Sequence, residues 1–162
     1  MAMKHMPDES RVWVYQGDRE FTKDEIPAIQ EKVSRFIESW TSHSKQVKAD
    51  FDFLYNRFLI LVLDESHVQA GGCSIDSSVH FIKSLESEFH NVLTDRMKFA
   101  FKNGSEVQVV SRDEFSRLIA EGKINDDTVV FNNLVASLGE LNSSWEIPLS
   151  KSWHRQFFAV KF

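Results

Sequence analysis

The stretch Phe58-Leu59-Ile60-Leu61-Val62-Leu63, followed at once by Asp64-Glu65, decides the fold. Six apolar residues run without a polar break, too short a run for an ordinary helix and far short of the roughly 20 residues a membrane span needs. A strand with one wet face alternates in polarity, whereas a continuous apolar run reads as a strand buried on both faces, with a layer above it and another below. Just upstream, Val47, Ala49, Phe51 and Phe53 alternate with Lys48, Asp50 and Asp52, the pattern of a half-buried strand. Only Tyr55-Asn56-Arg57 stands between the two runs, so they are predicted to form a hairpin.

Working outward, Val12, Trp13, Val14 and Tyr15 make a first strand, closed by Gly17-Asp18. Thr22-Lys-Asp-Glu25 fits a capping box, with Asp24 as the competing cap. Ile26, Ile29, Val33, Phe36, Ile37 and Trp40 then recur every three or four residues, one apolar helix face. Past the polar loop 64–72, Ile75, Val79, Ile82, Leu85, Phe89 and Leu93 mark a second helix, beginning near Ser74. Phe99-Ala-Phe101 and Val107-Gln-Val-Val110 flank Asn103-Gly104, which supplies the positive φ angles of a two-residue hairpin turn. Ser111-Arg-Asp-Glu114 opens a short helix that Gly122 suits as a stop. Residues 128–131 read as a strand, and Leu134, Val135, Leu138 and Leu141 as a helix interrupted by Gly139. The expectation is an α+β fold, a largely antiparallel sheet with helices packed on it. A ferredoxin-like core with a C-terminal extension is one way to wire it. Residues 1–10, polar and unpatterned, are expected to be a mobile segment, and 11–162 a single domain.

Composition narrows the function classes. Nineteen basic against twenty-four acidic residues give a net charge of −5, which argues against a broad phosphate-binding face. Lys98-Phe99-Ala100-Phe101 is similar to the stacking strand of RNA-recognition domains, but the Gly expected after the Lys is missing and the segment falls after the second helix; no nucleic-acid partner is expected. Cys73 is the sole thiol, so an intramolecular disulfide is impossible and a reducing, cytoplasmic setting is expected. Residues 1–9 contain no apolar signal core, and no membrane insertion is expected. Asp64, Glu65, His67 and Asp76 are near in sequence, yet no C-x-x-C or H-E-x-x-H spacing supports a metal site, and no cofactor is implied.

An apolar strand ending in Asp64-Glu65 is similar to the Walker B motif of ATPases. Taken with Arg11-Val-Trp-Val-Tyr15, Gly72-Cys-Ser-Ile-Asp76, Val130-Phe-Asn-Asn-Leu134 and Lys151-Ser-Trp-His154, most of the chain resembles a family of short bacterial proteins of unassigned function that often carry the label "ABC transporter ATPase". The resemblance brings no assigned active site with it. The label itself fails on chemistry. Phosphate binding needs G-x-x-x-x-G-K-[ST], whose stacked amides and Lys hold the phosphates. Gly17 is the only glycine before Asp64, and Gly71-Gly72-Cys73-Ser74 has no Lys and follows the acidic pair, whereas the ABC signature loop precedes it. ATP hydrolysis is not expected.

The remaining chemistry is expected at Ala70-Gly71-Gly72-Cys73-Ser74-Ile75-Asp76-Ser77-Ser78. Paired glycines let the backbone turn sharply, and a helix start offers unpaired amides to an anion. The leading expectation is a small-molecule or anion-binding accessory module, with Gly72, Ser74, Asp76 and Ser77 on the ligand and Asp64 and Glu65 nearby. The bland alternative is that Ser74 or Asp76 caps the helix and Cys73 fills a gap. A rival is a thiol-dependent enzyme with Cys73 as nucleophile and His67 as base, since His80 lies about two turns, roughly 10.5 Å, along the helix. A third expectation is a homo-oligomer, a homodimer for instance, docking through the aromatic tail from Trp145, with Trp153 and Phe157 as anchors. Its alternative is a tail that packs back over the sheet.

Overall fold

The structure, a computed structural model, describes residues 5–158. Strand β5 (Phe58–Asp64) is the middle of a three-stranded antiparallel sheet in the order β1-β5-β4, with β1 (Arg11–Gln16) and β4 (Lys48–Leu54) on either side. Every residue of β5 is buried, as the unbroken run predicts. Leu59 and Leu61 face Ile29 and Val33 of helix α1 (Glu25–Ser39) and Ile82 and Leu85 of helix α2 (Gly72–Phe89). Phe58, Ile60 and Val62 face the opposite way, onto a second sheet.

That second sheet is antiparallel, with β7 (Glu106–Ser111), β6 (Lys98–Asn103), β8 (Val129–Phe131) and β9 (Glu146–Pro148) in the order β7-β6-β8-β9. Strand alternation divides β6 between two cores. Ala100 packs inward with Val12, Val14 and Phe131, while Phe99 and Phe101 face outward under Phe115 and Leu118 of α3 (Arg112–Ala120). The layers therefore run helix, sheet, sheet, helix, an α+β fold. A two-residue pair, β2 (Thr41–Ser42) with β3 (Lys45–Gln46), forms a separate small hairpin.

The β1-β5-β4 order with α1 and α2 on one face is the first part of the ferredoxin-like wiring. The next strand, β6, departs from it and founds the second sheet. The reason lies at the free edge of β1, where other chain already sits. Val12 N donates to Ala136 O (3.1 Å), Arg11 bridges Ser137, and just past the strand Asp18 N donates to Val92 O (3.0 Å). The N-terminal segment is likewise docked rather than loose. Met6 is buried in the inter-sheet core, and Ser10 O and Asp8 O accept the amides of Leu138 and Gly139, both at 2.8 Å.

Local chemistry fixes the ends of the elements. At α1 the capping box closes in both directions, Glu25 N donating to Thr22 Oγ1 (3.2 Å) and Thr22 N to Glu25 Oε1 (2.9 Å). The Arg19 guanidinium clamps the same carboxylate at 2.9 and 3.0 Å and, with the Thr22 amide, holds it down to about 2. The β4–β5 hairpin turns on Tyr55 and Asn56, both at positive φ (55° and 53°). In the β6–β7 hairpin the turn sits one residue later than predicted: the loop is Gly104-Ser105, and of Asn103 and Gly104 only the glycine has positive φ. The fourth helix, α4 (Leu138–Ser144), is shorter than its apolar pattern, because Ser137 Oγ accepts Glu140 N (3.2 Å) and starts it there, leaving Leu134 in the preceding loop and 61% exposed. A 3-10 turn (Leu149–Lys151) and α5 (His154–Phe157) bring the tail back over the second sheet.

Candidate functional site

At the start of α2, the region predicted to bind a ligand, neighbouring residues cover Gly71 and Ser74 and leave Gly72, Cys73, Asp76 and Ser77 exposed. The helix begins at Gly72, with Gly71 as an extended N-cap. Gly71 N donates to Ser42 Oγ (3.1 Å), and that hydroxyl donates to Gln69 O (2.6 Å). The His43 ring lies over the same glycine, its Nε2 3.4 Å from where a Cβ would stand. Ser74 is buried, giving its hydroxyl to Thr41 O (2.9 Å) while its carbonyl accepts Trp40 Nε1 (2.9 Å). Ser74 therefore anchors the β2–β3 hairpin and does not face a ligand. Ser77 Oγ donates to Cys73 O (2.9 Å), an internal helix contact. Gly72, Cys73 and Asp76 are exposed on the helix surface.

The acidic loop is satisfied within itself. Asp64 is buried and accepts Ser66 N (2.9 Å) and the Ser66 hydroxyl, which with Lys48 Nζ at 3.6 Å holds its carboxyl below the usual range. Glu65 accepts Ala70 N (2.9 Å) and lies 3.8 Å from Arg11 Nη1. His67 is exposed and shares no hydrogen bond with Cys73 among the described residues. No group of three or more His, Cys, Asp or Glu side chains that could hold a metal ion is found among the described residues, and no helix there is long and apolar enough to cross a membrane. In the tail, Trp153 meets Phe99 edge-on (ring centroids 5.8 Å apart) and stacks on His154 (3.9 Å), and Phe158 is buried beside them. This segment packs back on the sheet, the second of the two arrangements expected for it. The Phe157 side chain and residues 159–162 lie outside the described residues. The rings of Phe99 and Phe101 are buried under α3 and present no stacking face.

One concavity of the fold lies where β1 and β6 fail to pair. Val12 N and Asp18 N both turn away from β5, and alternate residues of an antiparallel strand point the same way. The amides of Val14 and Gln16, between them, therefore face the uncovered stretch of edge. Both residues line a cavity of about 90 Å³, together with Ala100, Phe131 and His154.

A chain of oriented amides crosses this gap. Trp145 Nε1 donates to Asn133 Oδ1 (2.8 Å), Asn133 Nδ2 to Gln16 Oε1 (2.8 Å), and Gln16 Nε2 to Lys98 O (3.4 Å). An indole can only donate and a carbonyl only accept, so the two ends fix which way both amides point. Gln16 thus substitutes one side-chain contact for the missing β1–β6 ladder; Gln16 and Asn133 each keep a second side-chain N–H, and both residues line the cavity.

His154 is the most enclosed polar group of that wall, 1% exposed, and burial alone pushes it down to about 4, so the ring is neutral at physiological pH. Its Nδ1 lies 2.6 Å from Ser152 Oγ. That buried hydroxyl accepts His154 N (3.4 Å), which leaves its proton free to be donated to Nδ1. In the tautomer in which Ser152 donates to Nδ1, the ring proton sits on Nε2. Nε2–H has no partner among the described residues. At the lip, Lys98 Nζ is taken by Asp18 Oδ2 (2.8 Å), Asp95 accepts Met97 N (2.8 Å), and Arg96 is exposed with no hydrogen bond or ion pair among the described residues. The arrangement offers donors and suits a guest that accepts hydrogen bonds.

No family model, curated protein or solved structure matches this chain. Nothing in the local pattern singles out Gln16, Asn133 or His154, because each reads as an ordinary polar residue at an element's end.

Proposed function

We propose that the protein is a small-molecule-binding module whose site is the cavity between β1 and β6. The observation that carries this reading is His154. Its ring is 1% exposed, its Nε2 has no hydrogen-bond partner among the described residues, and the residue lines the cavity between the two sheets. The polar groups around it are supplied from four separate parts of the chain (β1, the segment before β6, the loop after β8, and α5). Sites of this kind are mostly apolar with a few convergent polar groups, and here Val14, Ala100 and Phe131 form the apolar part.

The test is an NMR titration of the imidazole signals with acetate, acetamide, acetone and inorganic phosphate. At least one probe is expected to move the His154 Nε2 resonance and raise the melting temperature. The Ala100→Leu variant, which fills the cavity without touching His154 chemistry, is expected to lose that response. A His154 signal indifferent to all four probes, or an unchanged response in Ala100→Leu, overturns the reading.

A further inference from the structure

We infer that the guest is an amphipathic monocarboxylate, its carboxylate in the cavity and its apolar chain lying outward across the lip. This rests on the cavity being a binding site, and deepens it by naming the ligand's chemistry from size, polarity, charge and surroundings.

Size comes first. About 90 Å³ is less than the roughly 150 Å³ of a cavity that takes benzene and about three times the liquid share of one water, so it holds a head group and not a whole metabolite. Polarity comes second. In the tautomer in which Ser152 donates to Nδ1, His154 is a neutral donor; the amide relay leaves a spare N–H on Asn133 and on Gln16, and the edge amides of Val14 and Gln16 add backbone donors. A head group that only accepts matches such a wall, whereas an amine or ammonium would set donor against donor.

Charge comes third. The charged lining residues are one carboxylate, Asp95, against two cations, and Lys98 already spends its charge on Asp18, so Arg96 is the single cation left for a ligand. One free guanidinium, whose planar fork matches a carboxylate, suits a monoanion. A phosphate dianion would face Asp95 with half of its charge unmatched.

The surroundings supply the chain. Four large apolar residues are exposed among the described residues; one of them lines the cavity and two more adjoin lining residues in sequence. Leu134, 61% exposed, lines the cavity itself; Met97, 67% exposed, lies between the lining residues Arg96 and Lys98; Val92 precedes the lining residue Leu93. Exposed apolar surface gathered beside a polar pocket is what a ligand with an apolar tail would cover.

Isothermal titration of the full chain with octanoate, octanamide, octyl phosphate and acetate, each below its aggregation threshold, tests this. Octanoate is expected to bind at least tenfold more tightly than acetate and than octanamide. Arg96→Gln is expected to remove the preference for octanoate over octanamide, and Leu134→Ser to narrow the margin of octanoate over acetate. Octanamide or octyl phosphate binding as tightly as octanoate, or acetate equalling it, overturns the inference. Binding of acetate and acetamide with octanoate excluded would sink the amphipathic class while the module reading stands; silence from all probes, with an indifferent His154 signal, would sink both.

Discussion

At the scale of single residues, two glycines of similar appearance in the sequence have opposite tolerances. A Cβ on Gly17 would stand 2.8 Å from Arg19 O and 3.1 Å from Arg57 O, backbone atoms that hold the β1 exit against the β4–β5 turn, with Asn91 Nδ2 at 3.0 Å. Gly17→Ala is therefore expected to destabilise the protein by about 1–3 kcal/mol, read as a lower urea midpoint. Gly72→Ala, where a Cβ meets nothing within 4 Å, is expected to stay within about 0.5 kcal/mol of wild type. His154 makes a prediction of a different kind. Its folded value of about 4 lies below the ordinary 6.5, so the folded state binds fewer protons and the contribution is present above pH 6.5 and lost as pH falls toward 4. Between pH 6.5 and 5 the loss from this ring is about 1.5 kcal/mol. The groups facing it, Ser152, Phe99, Phe115 and Trp153, carry no charge, and the charged groups sharing the cavity are Asp95, Arg96 and Lys98. Urea titrations across that window should show the loss in wild type and a flat response in His154→Phe; a slope that survives the substitution assigns it elsewhere.

At the scale of elements, β4 is an edge strand, and exposed edges invite pairing with other chains. Here alternate amides are quenched by the preceding side chain: Phe51 N donates to Asp50 Oδ1 and Phe53 N to Asp52 Oδ1, both at 2.8 Å. The aspartates that looked like the wet face of a half-buried strand thus also occupy its hydrogen-bonding edge. Asp50→Ala combined with Asp52→Ala is expected to raise self-association over wild type, measured by sedimentation velocity; an unchanged distribution would show that the carboxylates do not guard the edge. Element identity was legible wherever a local cause was strong. The unbroken run at β5, the three-and-four spacing of α1 and the Ser111 cap were each read from a few adjacent residues. What escaped were features set by partners distant in sequence. Nothing local says that Met6 finds the inter-sheet core, that the 136–138 segment takes the edge of β1, or that Ser42 caps α2 from another hairpin.

At the scale of the whole molecule, the same distinction explains why the α+β class was legible and the wiring was not. Alternation predicts that β6 has two apolar faces, but which layer each face meets depends on β1's edge being already taken. The cavity follows from that choice, so no motif could announce it; its polar residues are far apart along the chain and become neighbours only when the two sheets stack. The paired glycines, by contrast, offered a strong local signal, yet a hairpin from elsewhere sits on the first of them, Gly71.

Between the strands of the two sheets no backbone rung is shared; apolar contact and a handful of side-chain links, chiefly the Trp145-Asn133-Gln16 relay, join them. The two slabs can consequently slide or breathe against each other by rotating side chains, with every ladder intact.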